Sequence, residues 1–136
     1  MSAHSVTVDL PEVLFRKVER AAEGLGQPVS LALLKIVESS LPSLDKVPSR
    51  YRGELEAMET WTDQQLWRAA REETPAAAQQ ERSDLLRKHK QAPLGLEEEA
   101  HLDRLQADAN RLMLRKSYAL ALLKWRGHKI PAFTTA

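Results

Sequence analysis

Ser5 to Leu41 reads SVTVDLPEVLFRKVERAAEGLGQPVSLALLKIVESSL, and a change of period inside it decides the fold expected of this chain. From Ser5 to Leu10 polar and apolar residues alternate, with Val6, Val8 and Leu10 on one side and Ser5, Thr7 and Asp9 on the other. A period of two predicts a short, half-buried strand. After Pro11 the spacing becomes helical, through Leu14, Val18, Ala21 and Leu25, and Gly24 and Gly26 are placed to close that helix. Gln27 stands at the N-cap position of a second helix and Pro28 in its first turn, where a missing N–H costs nothing. Val29, Leu33, Ile36 or Val37, and Leu41 supply its apolar stripe, and Pro42 stops it.

A six-residue strand followed by two short helices leaves its own edge unpaired, and nothing later in the chain has the pattern of a strand. The simplest partner is the same strand of a second copy. The run Thr7-Val8-Asp9-Leu10-Pro11, then a helix of about a dozen residues, a Gly-containing turn and an apolar helix, resembles the ribbon-helix-helix (Arc/MetJ-type) DNA-binding domains. The likeness covers residues 5–41. It implies a homodimer whose interface holds Val6, Val8 and Leu10, with Ser5, Thr7 and Asp9 facing base edges in the major groove of double-stranded DNA. It also implies that Val29 and Ser30, at the start of the second helix, offer backbone N–H groups to a phosphate. The chain departs from that pattern in its reading residues, because Ser and Thr read weakly and Asp9 can only accept, as from cytosine N4.

Charge gives DNA binding little support. The formal net charge is +1, and residues 1–46 hold five Lys or Arg against six acids. Affinity for DNA depends largely on neutralising phosphates, so a near-neutral core predicts weak binding or a role confined to dimerisation. The absence of cysteine excludes disulfides, thiolate metal sites and thiol nucleophiles. A hydrophobic fraction of 43% with 5% aromatics fits a helix-rich protein better than a large sheet core. No apolar run approaches a membrane span and no signal pattern opens the chain, so a cytoplasmic protein is expected.

Beyond the first 41 residues, Pro42 to Arg50 (PSLDKVPSR) has the composition of a linker, and residues 51–136 are helical by pattern. Tyr51 to Thr60 forms a short helix with Leu55 and Met58 inward. Thr62 and Gln65 make a capping box, with Trp61 set to staple Leu66. Thr74-Pro75 begins a helix to about Lys90, and Glu97, Glu98 and Glu99 open a longer one. Its stripe runs through Leu102, Leu105, Ala109, Leu112, Ala119 and Leu123 to Gly127. Some thirty residues at about 1.5 Å each span about 45 Å, long enough to cross a dimer or hold a partner. The expected fold class is therefore mainly α: an N-terminal ribbon-helix-helix domain over 1–41, a linker over 42–50 and an all-α region over 51–136 ending in the long helix.

The end of that helix carries Arg111, Arg115, Lys116, Lys124, Arg126 and Lys129 with no acid among them. These are either a solvated helix C-terminus or a surface for DNA backbone or an acidic partner. The runs LWRAAR (66–71) and LMLRKSYALALLKWRGH (112–128) resemble an uncharacterised bacterial family of small helical proteins associated with gene pairs that include an HNH-type nuclease. That likeness implies a toxin or nuclease as a partner and names no site residue.

His4, His89, His101 and His128 show no metal-binding spacing, and there is no phosphate loop, nucleophile elbow or Walker sequence. No catalytic residue, metal or cofactor is expected. Two functions from different classes follow. One is a homodimeric regulator of transcription, in the manner of an antitoxin that controls its own operon; the other is a protein-interaction module in which the N-terminal core only dimerises.

Overall fold

The computed structural model describes residues 3–131, and these form six α-helices. They are α1 (Glu12–Leu25), α2 (Val29–Ser40), α3 (Ser49–Ala57), α4 (Asp63–Ala70), α5 (Ala76–Gln91) and α6 (Leu96–Trp125), with a 3-10 turn at Met58–Thr60. The chain divides into two compact units, Met1–Leu41 and Pro42–Ala136. No described helix is long and apolar enough to cross a membrane. Residues 1–2 and 132–136, the outer ends of the regions expected from sequence, lie outside the described residues.

The expected strand is absent, and with it the ribbon. Residues 3–11 have no regular structure, and among the described residues no backbone hydrogen bond involves residues 3–10. Val6 is 81% exposed and Val8 69%, while Leu10 is partly covered. Alternation becomes a strand only when a neighbouring strand supplies ladder bonds and a core covers one face. Every other described element of this chain is helical, so neither is supplied. The ribbon-helix-helix expectation is corrected to an all-helical fold.

In the first unit α1 and α2 pack through Val18, Ala22 and Ala32, the three buried apolar residues among those described. Gly26 sets the turn between them. At φ 63° it adopts the left-handed conformation, its N–H donates to Glu23 O, and the Gln27 N–H donates to Ala22 O, the paired bonds of a Schellman motif. The second helix then starts one residue later than the sequence suggests. Pro28, not Gln27, holds the N-cap position at ψ 154°. The same displacement occurs at α5, where Pro75 rather than Thr74 caps. A proline φ near −60° suits the cap as well as the first turn, so proline marks a helix start only to within a residue.

The second unit is built on α6. Tyr118, Ala119, Leu122 and Leu123 of that helix pack against Leu66, Ala69 and Ala70 of α4, with Leu55 from α3 and Met58 from the 3-10 turn completing the core. The small Ala69, Ala70 and Ala119 let α4 and α6 approach closely, and Leu66, Met58 and Leu123 are fully enclosed. The capping box forms: Gln65 N–H donates to Thr62 Oγ1 at 3.2 Å and Thr62 N–H to Gln65 Oε1 at 2.9 Å. Trp61 packs on the core that contains Leu66. Segment 42–50 belongs to this unit, because Leu44 and Val47 lie on the core and Arg52 donates to the carbonyls of Val47 and Asp45.

α5 runs antiparallel to the N-terminal half of α6 and buries none of its residues. Glu81 with His101 and Lys88 with Glu98 join the two helices. Gly127, at φ 100°, ends α6 in a second Schellman turn, with His128 N–H donating to Leu123 O and Gly127 N–H to Lys124 O.

Candidate functional site

Each unit presents one surface with the character of a site. On the first it is apolar. Val6, Val8, Val13, Leu14, Phe15, Leu25, Leu31, Leu34, Ile36, Val37 and Leu41 are all exposed, against three buried residues. Helical spacing places Leu34, Val37 and Leu41 on one stripe of the α2 region, while Val13, Leu14 and Phe15 occupy the first turn of α1. Monomeric proteins seldom expose apolar surface of this extent unless it binds something.

The residues expected to contact DNA are dispersed over this unit. Ser5, Thr7 and Asp9 are exposed in the irregular segment, so no shared backbone geometry aims them. Val29 and Ser30 do begin a helix, one with no side-chain cap and no acid in its first turn. Glu19 and Glu23 line the cleft beside that helix start, together with Gly26, Gln27 and Val29. Their negative charge opposes a phosphate there.

On the second unit the surface is ionic, and it divides the six basic residues at the end of α6. Arg111 grips Glu54 of α3 in a two-pronged contact, Nε to Oε2 at 2.8 Å and Nη2 to Oε1 at 2.6 Å, and Arg115 Nη1 reaches the same carboxylate at 2.9 Å. Arg126 donates to Asp63 Oδ1 at 2.8 Å and to the Glu59 carbonyl at 3.0 Å. His128 Nε2 lies 2.7 Å from Asp63 Oδ2. These contacts tie the middle of α3 and the start of α4 to α6 and the residues that follow it. Lys116, Lys124 and Lys129 have no ion pair among the described residues.

Electrostatics follow from the pairing. The Arg111 guanidinium holds the Glu54 carboxyl well below the usual carboxylate range, at about 2, with Arg115 adding to the effect against some desolvation. Asp63 is lowered by Arg126 and then by His128. Burial pushes the Tyr118 hydroxyl up, and its 2.7 Å hydrogen bond to Glu59 Oε1 pushes it further. Sequence reasoning missed Glu54, Glu59, Asp63 and Tyr118 as members of this lattice. The signal was indirect: Arg111 and Arg115, four residues apart, share a helix face and needed acids opposite them.

Between α4 and Arg115 lies a groove of about 890 Å³ whose lining includes Trp61, Trp67, Arg68, Arg71 and Glu72. Among the described residues no group of acids and histidines has the arrangement of a metal site. Comparisons with protein-family models, with characterised proteins and with solved structures find no match.

Proposed function

We propose that this chain is a protein-interaction module: the first unit joins two copies, and the second is a rigid helical platform that holds a partner. The observation that carries the reading is the imbalance among the described residues up to Leu41, where Val18, Ala22 and Ala32 are buried and eleven large apolar side chains are exposed. A unit of about 40 residues usually needs disulfides, a metal or oligomerisation to persist, and this chain has no cysteine. Fully burying a large aliphatic side chain contributes about 1.5–3 kcal/mol. Covering half of the exposed set therefore contributes on the order of 10 kcal/mol, comparable with the roughly 4–15 kcal/mol that association costs.

Sedimentation of the whole protein tests the reading. A species of twice the 15.4 kDa chain mass at micromolar concentration is expected. A stable, folded monomer would overturn it.

A second reading keeps the dimer and adds DNA, making the protein a regulator of transcription and, with a toxin or nuclease as its partner, an antitoxin. It is favoured by the start of α2, where uncapped N–H groups carry no acid in their first turn. It is weakened by Glu19 and Glu23 beside that start and by the internal use of Arg111, Arg115 and Arg126. Retention of the protein's own promoter fragment at low salt, with a steep loss on adding salt, would favour it over the first reading.

A further inference from the structure

We propose that the groove between α4 and Arg115 binds an acidic peptide segment, whose carboxylates meet the arginines and whose intervening apolar side chain lies along the tryptophans. The proposal deepens the reading of the second unit as a partner-holding platform and does not depend on self-association by the first.

The groove is set up for carboxylates by its own cation–π pairs. Arg71 stacks its guanidinium 5.5 Å from the centre of the Trp67 ring, and Arg115 stacks 5.6 Å from that of Trp61. Stacking fixes the plane of a guanidinium while leaving its N–H edge free to bind, which lowers the ordering cost of a bidentate contact. Arg68 and Arg71 have no ion pair among the described residues. Arg115 Nε is buried without a hydrogen bond, its nearest acid being Glu72 Oε2 at 3.5 Å. That guanidinium is thus held in place by the protein itself, and the contacts open to a ligand are those of Arg68 and Arg71. Arg115 is already held by Glu54 at 2.9 Å, so Arg68 and Arg71 are the unpaired cations of the lining, and they outnumber its single acid, Glu72.

The same geometry argues against a nucleic acid. Single strands bind by stacking bases on free aromatic faces along a continuous basic track. Here each tryptophan already carries a guanidinium, and Trp67 also meets the edge of His128 at 6.0 Å. The neighbouring Arg111 and Arg126 are neutralised by Glu54 and Asp63.

The test uses the full chain and a fluorescein-labelled peptide that alternates glutamate with leucine. Fluorescence anisotropy is read against the same peptide with lysine for glutamate, against free glutamate and against an oligothymidylate. Saturable binding of the acidic peptide is expected, lost at high salt and absent with the lysine peptide. The double variant Arg68→Glu/Arg71→Glu, at two exposed positions, should weaken it at least about tenfold with an unchanged circular dichroism spectrum. Arg71→Lys should fall between, since it keeps the charge and loses the fork. No binding, equal binding by the charge-reversed variant, equal competition by free glutamate, or tighter binding of the oligothymidylate would each overturn the proposal. A dimer that ignores the peptide defeats this inference alone; a monomer that binds it defeats self-association alone.

Discussion

The first unit leaves eleven large apolar side chains exposed within 41 residues, whereas in the second, more than twice as long, Leu86, Leu96, Met113 and Trp125 are the exposed ones among the described residues. Both are helical and both end a helix on a left-handed glycine, so local structure does not explain the contrast. What differs is the number of elements available to cover a face. α1 and α2 can cover only one side of each other, while α6 is met by α3 and α4 along one half and by α5 along the other. Charge follows the same division. The second unit locks its helices with Glu54, Glu59 and Asp63, whereas among the described residues the ion pair of the first is Arg16 with Glu12, within one helix and largely exposed. Such a pair contributes little to tertiary structure. Closure by burial and charge is what the proposed platform rests on, and the open apolar face is what the proposed joint rests on.

The largest effect that sharpens this comparison lies in the closed unit. Leu123 is fully buried between α4 and α6, so Leu123→Ala should cost about 2–5 kcal/mol and lower the thermal midpoint by several degrees. Leu34 is 58% exposed, and Leu34→Ala in a free monomer should cost less than about 0.5 kcal/mol. A loss from Leu34→Ala that grows as protein concentration falls would show that a second copy covers the residue.

Next comes the joint itself. Leu34→Asp or Val37→Asp places a charge on the exposed stripe of α2, which is harmless on a solvated surface and severe in an interface. The expected outcome is monomer at micromolar concentration by sedimentation, with the signals of the second unit unchanged. A variant that remained a dimer would move the interface off α2.

Acid should open the closed unit first through Glu54. Its folded pKa of about 2 lies below the ordinary 4.5, so the stability it contributes is fully present above about 4.5 and is lost as pH falls toward 2. Partial exposure and solvent screening hold that contribution to about 1–2 kcal/mol. Glu54→Gln should remove it at neutral pH and flatten the stability profile between pH 4.5 and 2. An unchanged profile would mean that the Arg111 and Arg115 contacts are not held in solution.

Much of the second unit was legible in the sequence because its signals are local. The Thr62–Gln65 capping box, the Gly127 stop and the stripe from Leu102 to Leu123 are each fixed by residues a few positions apart. The role of segment 42–50 was not legible, since Leu44 and Val47 become core residues only when α4 and α6 are already in place. Nor was the fate of the basic stretch, because Glu54 lies 57 residues from Arg111 and no spacing rule joins them. The strand failed for a related reason. Alternation from Val6 to Leu10 describes what the segment suits, whereas a strand also needs a neighbour, and a neighbour is not a property of the segment.

The smallest effects test whether the two units unfold separately. Gly24 lies inside α1 and Gly53 inside α3; a Cβ at either meets nothing within 4 Å, and neither has a positive φ. Alanine therefore fits both without strain and should stabilise each helix by about 0.5–1 kcal/mol. If the joint and the platform are independent, Gly24→Ala should raise only the transition that depends on protein concentration. Gly53→Ala should raise only the transition that does not. Hydrogen exchange of the two helices, measured beside calorimetry, assigns each transition to its unit. A single transition moved equally by both substitutions would show that the two units fold as one cooperative structure, and that apolar residues of the first are covered from within the chain rather than by a second copy.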